Sequence, residues 1–373
     1  VEKSPAFTAW QLLIYLKTIT KVDRMTHSRI RVAQVLAGAA QGGAENCFVR
    51  TVAGMNELDS LQVGAFIRNH QHRIDALTQA GIETRGYRFG SPLDLLDRLR
   101  FRRQLNAFKP DIVMTWMNRA TAYTPNSDRY ILVSRLGHYY KLKYYKHSDY
   151  WVGITKGICN HLINAGFPAD RVFQIPNFAD EREVEPLPRD SFNTPTDRPL
   201  ILAAGRLHVN KGFDVLLHSL TEIPDAILWL AGAGPEEQSL KQLCSQLGLD
   251  DRVRFLGWRT DVTALMRTAD LFVCPSRNEG LGSIVVESWA HHCPIVATRS
   301  QGPGELISDG ISGLLTPIDD APALAQAIRS VLDSEELRAR LVAGAAEVYA
   351  HGYSKQHIIG AYENLYQELM RRR

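Results

Sequence analysis

Short β-rich runs alternate with helix-length segments along this chain, break off at one polar, proline-bearing stretch, and then start again. Before the break the sequence predicts strands at Ile30–Leu36 (IRVAQVL), Leu61–Ile67, Asp111–Thr115, Tyr130–Ser134, Trp151–Ile154 and Val172–Pro176. A Gly42-Gly43 turn and a helix from Glu45 to Leu58 are expected after the first of them. The break, residues 179–198 (ADEREVEPLPRDSFNTPTDR), has three prolines, many charges and little apolar content, and reads as a linker. Strands are expected again at Pro199–Ala204, Ala226–Ala231, Val253–Leu256, Leu271–Cys274 and Ile295–Thr298. One architecture begun twice implies two doubly wound α/β domains, residues 29–178 and 199–353, with a cleft between them. In such sheets ligands bind where the carboxyl ends of strands meet helix N-termini, so the cleft is the expected site.

The length of 373 residues suits two domains of ordinary size. A composition of 45% hydrophobic and 22% charged residues belongs to a soluble globular enzyme and excludes a disordered or fibrous chain. No apolar run approaches the roughly 18 to 20 residues that span a bilayer. Residues 1–28 stand apart as an extension. Phe7–Leu16 (FTAWQLLIYL) followed by Lys17, Lys21 and Arg24 suits an interfacial helix, and a dispensable leader ending near Met25 suits the same residues equally well. Cys47, Cys159, Cys244, Cys274 and Cys293 are scattered and never spaced as C-x-x-C, which points to buried thiols in a reducing, cytoplasmic setting. Charge is uneven: residues 1–178 carry +11 (24 Lys/Arg against 13 Asp/Glu), residues 179–198 carry −3 and residues 199–373 carry −5. Separate partners for the two halves and mere scattered surface charge both account for it.

Two segments carry chemistry. Gly205-Arg206-Leu207-His208-Val209-Asn210-Lys211-Gly212 follows a buried strand and precedes a helix at Phe213–Leu220. The planar fork of Arg206 and the mobile ammonium of Lys211 suit a diphosphate there, and Gly205 and Gly212 let the backbone turn. The second segment is Glu279-Gly280-Leu281-Gly282-Ser283, opening a predicted helix Ser283–His291 that carries Glu287. A glycine-rich loop at a helix N-terminus is suited to phosphate. Eight residues of helix put the two glutamates about 12 Å apart. That is a poor fit to the roughly 5 to 9.5 Å of a glycosidase pair and a better one to opposite ends of a long ligand.

In their order and gaps, GRLHVNKG, AGAGPEE (Ala231–Glu237), VRFLGW (Val253–Trp258) and EGLGSIVVES with its E-x7-E resemble the retaining glycosyltransferases of family 4. Pro294–Thr298, Gly304-Glu305-Leu306-Ile307 and Ser312-Gly313 add to the match. Gln41-Gly42-Gly43-Ala44-Glu45 and Ile175-Pro176-Asn177 extend it more loosely into the first half. The resemblance implies the GT-B fold, α/β with two Rossmann-like doubly wound domains facing a central cleft, and a last helix (354–373) packing back on the first domain. It also implies a nucleotide diphosphate sugar donor, UDP- or GDP-linked, with no cofactor and no bound metal. Arg206 and Lys211 would hold the diphosphate and steady the leaving nucleotide, Glu279 the sugar hydroxyls and Glu287 the ribose. Gly205 and the backbone of Gly280, Leu281 and Gly282 would complete the donor contacts, Leu256 and Gly257 would border the base, and Gly42 and Gly43 would close the opposite wall. Stabilising the departing phosphate is then the main catalytic task, with retention at the anomeric carbon.

His138, in Arg135-Leu136-Gly137-His138 after a predicted strand, reads either as an active-site group contacting the sugar or taking the acceptor's proton, or as a helix cap. The acceptor, a glycan or glycolipid of cell-surface polysaccharide or lipopolysaccharide synthesis, is expected on the first domain. There Arg98, Arg100, Arg102, Arg103, Lys141, Lys143 and Lys146 are interleaved with Tyr139, Tyr140, Tyr144, Tyr145 and Trp151. That mixture suits an anionic membrane face and, equally, a solvated helix over a tyrosine-rich core; no nucleic-acid reading motif accompanies it. The chain departs from its relatives at His291-His292-Cys293, where a glycine is usual and the trio is read as structural, and at Ser283. Two other readings use the same motifs: an epimerase or phosphorylase of the same fold, and a non-catalytic sugar-nucleotide-binding subunit.

Overall fold

The structure, a computed structural model, describes residues 29–373 apart from Gln41, residues 91–93 and Leu281. The expectations for residues 1–28 and for Leu281 therefore lie outside the described residues. The first domain holds strands β1 (Ile30–Leu36), β2 (Leu61–Arg68), β3 (Glu83–Tyr87), β4 (Ile112–Trp116), β5 (Ile131–Leu136), β6 (Tyr150–Gly153) and β7 (Val172–Gln174). They form one parallel sheet in the order β3-β2-β1-β4-β5-β6-β7. The second holds β8 (Leu200–Ala204), β9 (Ile227–Ala231), β10 (Val253–Gly257), β11 (Leu271–Cys274), β12 (Ile295–Thr298) and β13 (Leu314–Thr316), in the order β10-β9-β8-β11-β12-β13. Both sheets grow outward from their first strand and then reverse, so each has a switch point, β1 beside β4 and β8 beside β11.

Central strands such as β8, β9 and β11 read as unbroken apolar runs because helices cover both faces of a parallel sheet. The two strands that the apolar pattern does not predict, β3 (ETRGY) and β13 (LLT), lie at sheet edges, where one polar face or a very short pairing suffices. All five cysteines are free and buried; burial pushes the Cys293 thiol up to about 12 and Cys159 and Cys244 to about 11. The left-handed turn expected of a glycine after the helix Ser283–Ala290 is taken by His292, at φ 55°.

The last helix, Lys355–Arg372, buries Ile358, Ile359, Tyr362, Leu365, Tyr366 and Leu369 in the core of the first domain. Gln34 in the middle of β1 donates to the Tyr366 hydroxyl (3.0 Å) and accepts from the Trp116 indole (2.8 Å), so a buried amide on the central strand is satisfied by the far end of the chain.

Candidate active site

The loop after β8 is built on backbone contacts that only glycine allows. Gly205 leaves the strand at φ 154° and donates its N–H to the Ala231 carbonyl (2.9 Å). In the neighbouring loop a Cβ on Gly232 would lie 1.8 Å from the Gly205 oxygen, and one on Gly234 would lie 2.2 Å from the Leu207 oxygen. The AGAGPEE run therefore lets two loops lie backbone against backbone. Gly212, at φ 64°, ends the loop with its α-carbon facing the Pro275 carbonyl, 2.1 Å from where a Cβ would stand. Asn210 accepts from the amides of Arg277 (2.9 Å) and Asn278 (3.1 Å), and the Arg277 guanidinium binds the Val209 carbonyl, Asp214 and Asp319. Burial works against the charged form of Asp214, but the hydrogen bonds from Arg277 outweigh it and hold that carboxyl below its ordinary value.

This zipper brings Lys211 to Glu279. The lysine stem folds over Gly205, with Cε 3.4 Å from where a Cβ on that glycine would be, and the ammonium ion-pairs with the Glu279 carboxylate. Sequence reading gave the two residues separate tasks, whereas here they touch, 27% and 13% exposed. Arg206 projects into solvent with no hydrogen bond or ion pair among the described residues. Glu279 is fixed through its carbonyl, which accepts from Gly302 (2.6 Å). Gly282, at φ 59°, starts the helix Ser283–Ala290, and a Cβ there would lie 2.5 Å from a Leu306 methyl carbon. The amide end of that helix thus opens beside the Lys211–Glu279 pair.

One turn further in, the Glu287 side chain is half-buried and makes no hydrogen bond or ion pair among the described residues. Burial raises its pKa, a nearby Arg50 opposes the rise, and Asp180 adds to it. Arg50 and Asp180 come from the first domain and the linker, and no motif in the sequence signals them. Gly257, at φ 65°, closes β10 and accepts from the Gly232 amide (2.7 Å), so it lies on the same rim. Leu256 packs partly onto the second domain's core, which leaves the following Trp258, 62% exposed, and Arg259 as the side chains bordering that end.

The opposite wall comes from the first domain. Gly42 precedes the helix Gly43–Asn56 in an extended conformation, and the buried Glu45 turns back to accept from the Ala39 amide (2.8 Å). Arg73 donates to the Ala39 and Ala40 carbonyls (2.8 and 3.1 Å), so the glycine loop is held from both sides. His138 follows β5 as an exposed side chain and caps no helix; its Nε2 is 3.8 Å from where a Cβ on Gly280 would stand. Two further bridges cross the cleft. Asn177 donates to the Ser283 hydroxyl (3.4 Å), and the Glu305 carboxylate accepts from the amides of Lys156 and Gly157 (3.0 Å for Gly157) at the start of the helix Lys156–Asn164. Asn177 and Glu305 both stood in recognised runs, but the bridges themselves needed the fold. Among the described residues no three His, Cys, Asp or Glu side chains gather as a metal site.

The family model for glycosyl transferases group 1 matches residues 185–348. The lipopolysaccharide core biosynthesis glycosyltransferase LpsE of Rhizobium meliloti is 34% identical over 325 residues, covering 87% of this chain and 95% of that protein. LpsD of the same organism is 34% identical over 327 residues, with the same coverage. In fold, the chain is similar to a glycosyltransferase from Rickettsia africae (TM-score 0.80, 19% identity, 92% of this chain and 99% of that one). It is also similar to Anabaena HepE, solved with UDP-glucose (TM-score 0.78, 20% identity, 91% and 99%).

Proposed function

The chain belongs to the group 1 glycosyltransferases, with the GT-B fold, and from that premise we propose that it moves a sugar, with retention, from a UDP- or GDP-sugar to a lipid-linked glycan of lipopolysaccharide core synthesis, at the cytoplasmic side of a membrane and without a metal ion. The observation that carries this reading is the Lys211–Glu279 pair at the amide end of the helix Ser283–Ala290, with the exposed Arg206 on the same loop as Lys211 and His138 opposite. In this reading the donor diphosphate lies between Arg206, Lys211 and the helix N-terminus, where two cations and a helix dipole receive the charge that develops as the anomeric C–O bond breaks. Glu279, ion-paired with Lys211, accepts hydrogen bonds from the sugar hydroxyls. Glu287, one turn further along that helix, accepts from the ribose. The acceptor oxygen attacks from the face the diphosphate leaves, and its proton passes to the departing phosphate oxygen or to His138. The names of LpsE and LpsD and the UDP-glucose bound to HepE support the acceptor class and the donor class respectively.

Thermal-shift titration with UDP, GDP and ADP tests the donor reading. One nucleotide at about 100-fold its Kd should raise stability by about 2.7 kcal/mol, and no shift with any of the three would sink the assignment. Lys211→Ala should lower kcat by roughly 10²- to 10³-fold. Full activity in that variant would place the diphosphate elsewhere.

A further inference from the structure

Three large apolar side chains face outward within little more than one turn of a single helix. Leu95, Leu96 and Leu99 are 66%, 82% and 61% exposed on the helix Leu95–Phe108. At about 100° per residue, Arg102, Arg103 and, at the edge, Arg100 share that face, and all three are exposed. Asp97, Phe101, Leu105 and Phe108 fill the opposite, buried face. Asp97, the helix's one carboxylate, is turned inward and accepts from the backbone amides of Arg88 and Phe89 (3.1 Å each). The outward face is therefore leucines and guanidiniums without an acid. Its position matters too. The helix begins after the carboxyl end of the edge strand β3, so its leucine end lies on the same side of the sheet as the Gly42 loop and His138.

An apolar stripe flanked by arginines matches a layer that is anionic above and apolar beneath, the headgroup boundary of an anionic bilayer. A second copy of the chain would bring like charges together on the same face. We propose that the helix Leu95–Phe108 docks the protein on an anionic membrane surface, with the leucines inserted and Arg100, Arg102 and Arg103 among the headgroups, so that the cleft opens toward an acceptor held in that membrane. This rests on the reading of a lipid-linked acceptor. The test below uses neither donor nor acceptor, so the two fail separately.

The full chain should co-sediment with vesicles of phosphatidylglycerol and phosphatidylcholine at low salt, release at high salt, and ignore vesicles of phosphatidylcholine alone. The double variants L96D/L99D and R102E/R103E should each weaken partitioning about tenfold or more. Both change only exposed side chains, so their thermal midpoints and their stabilisation by nucleotide should match those of the parent. Absence of binding by the parent, or parent-like binding by both variants, overturns the proposal. A dimer in sedimentation velocity that L96D/L99D dissolves, with no vesicle binding, assigns the face to a second copy and overturns it equally.

Discussion

Among the described residues Glu287 is a half-buried carboxylate that accepts no hydrogen bond, in a protein that elsewhere commits such groups: Glu45 accepts from Ala39, Asp97 from Arg88 and Phe89, Asp270 from Leu200 and Arg189. Burial raises its pKa, so ionising it at neutral pH costs stability. Glu287→Gln should therefore be more stable than the parent at pH 7. The sign follows from the direction of the shift. The penalty is absent below the ordinary value of 4.5, grows as pH rises toward the elevated folded value, and is constant above it. Urea midpoints of parent and variant measured from pH 4 to pH 8 should converge at the acid end, while nucleotide affinity at pH 7 falls in the variant. A variant less stable than the parent at every pH would mean that Glu287 has a partner contributing to the fold.

At the scale of elements, glycines let the loops of the candidate site lie backbone against backbone. Gly212 and Gly248 have nearly the same left-handed φ, 64° and 67°. Only Gly212 has a carbonyl in the way, that of Pro275, whereas nothing lies within 4 Å of a Cβ on Gly248. Gly248→Ala should carry the backbone strain alone, about 1 to 2 kcal/mol, and leave nucleotide binding intact. Gly212→Ala should cost more, because the clash forces the Lys211 loop away from the 275–279 loop, and it should also reduce nucleotide binding. Chemical denaturation with a nucleotide titration separates the two. Equal losses in both variants would show that the loop-to-loop contact at Gly212 contributes nothing.

Across the whole molecule, side chains of each domain reach the other over the cleft. Glu305 of the second domain caps the helix Lys156–Asn164 of the first, an anion at the positive end of a helix dipole. Asn177 links Ser283 to Arg135, which lies buried against the Trp116 ring (4.0 Å) and donates to the Tyr362 hydroxyl (2.9 Å) on the returning last helix. Because Glu305 is exposed, its capping is screened. Glu305→Gln should favour an open cleft by roughly two- to fivefold, seen as a larger radius of gyration in solution scattering and a lower kcat, with the thermal midpoint little changed. An unaltered radius and kcat would remove Glu305 from domain closure.

Local pattern determined much of this protein. Leu200–Ala204 and Leu271–Cys274 were legible as strands because buried parallel strands are continuous apolar runs, and the ordered motifs from Gly205 to Glu287 were legible through their glycines, which tight turns and close backbone approaches need. The edge strands β3 and β13 escaped, since an edge needs little apolar content. Only the tertiary structure decided that Lys211 touches Glu279, that Glu287 faces Arg50 and Asp180, that Glu305 caps a helix of the other domain, and that Leu95, Leu96 and Leu99 are left uncovered. Each joins or exposes residues according to which segments pack beside them, and spacing along a chain carries no record of that packing.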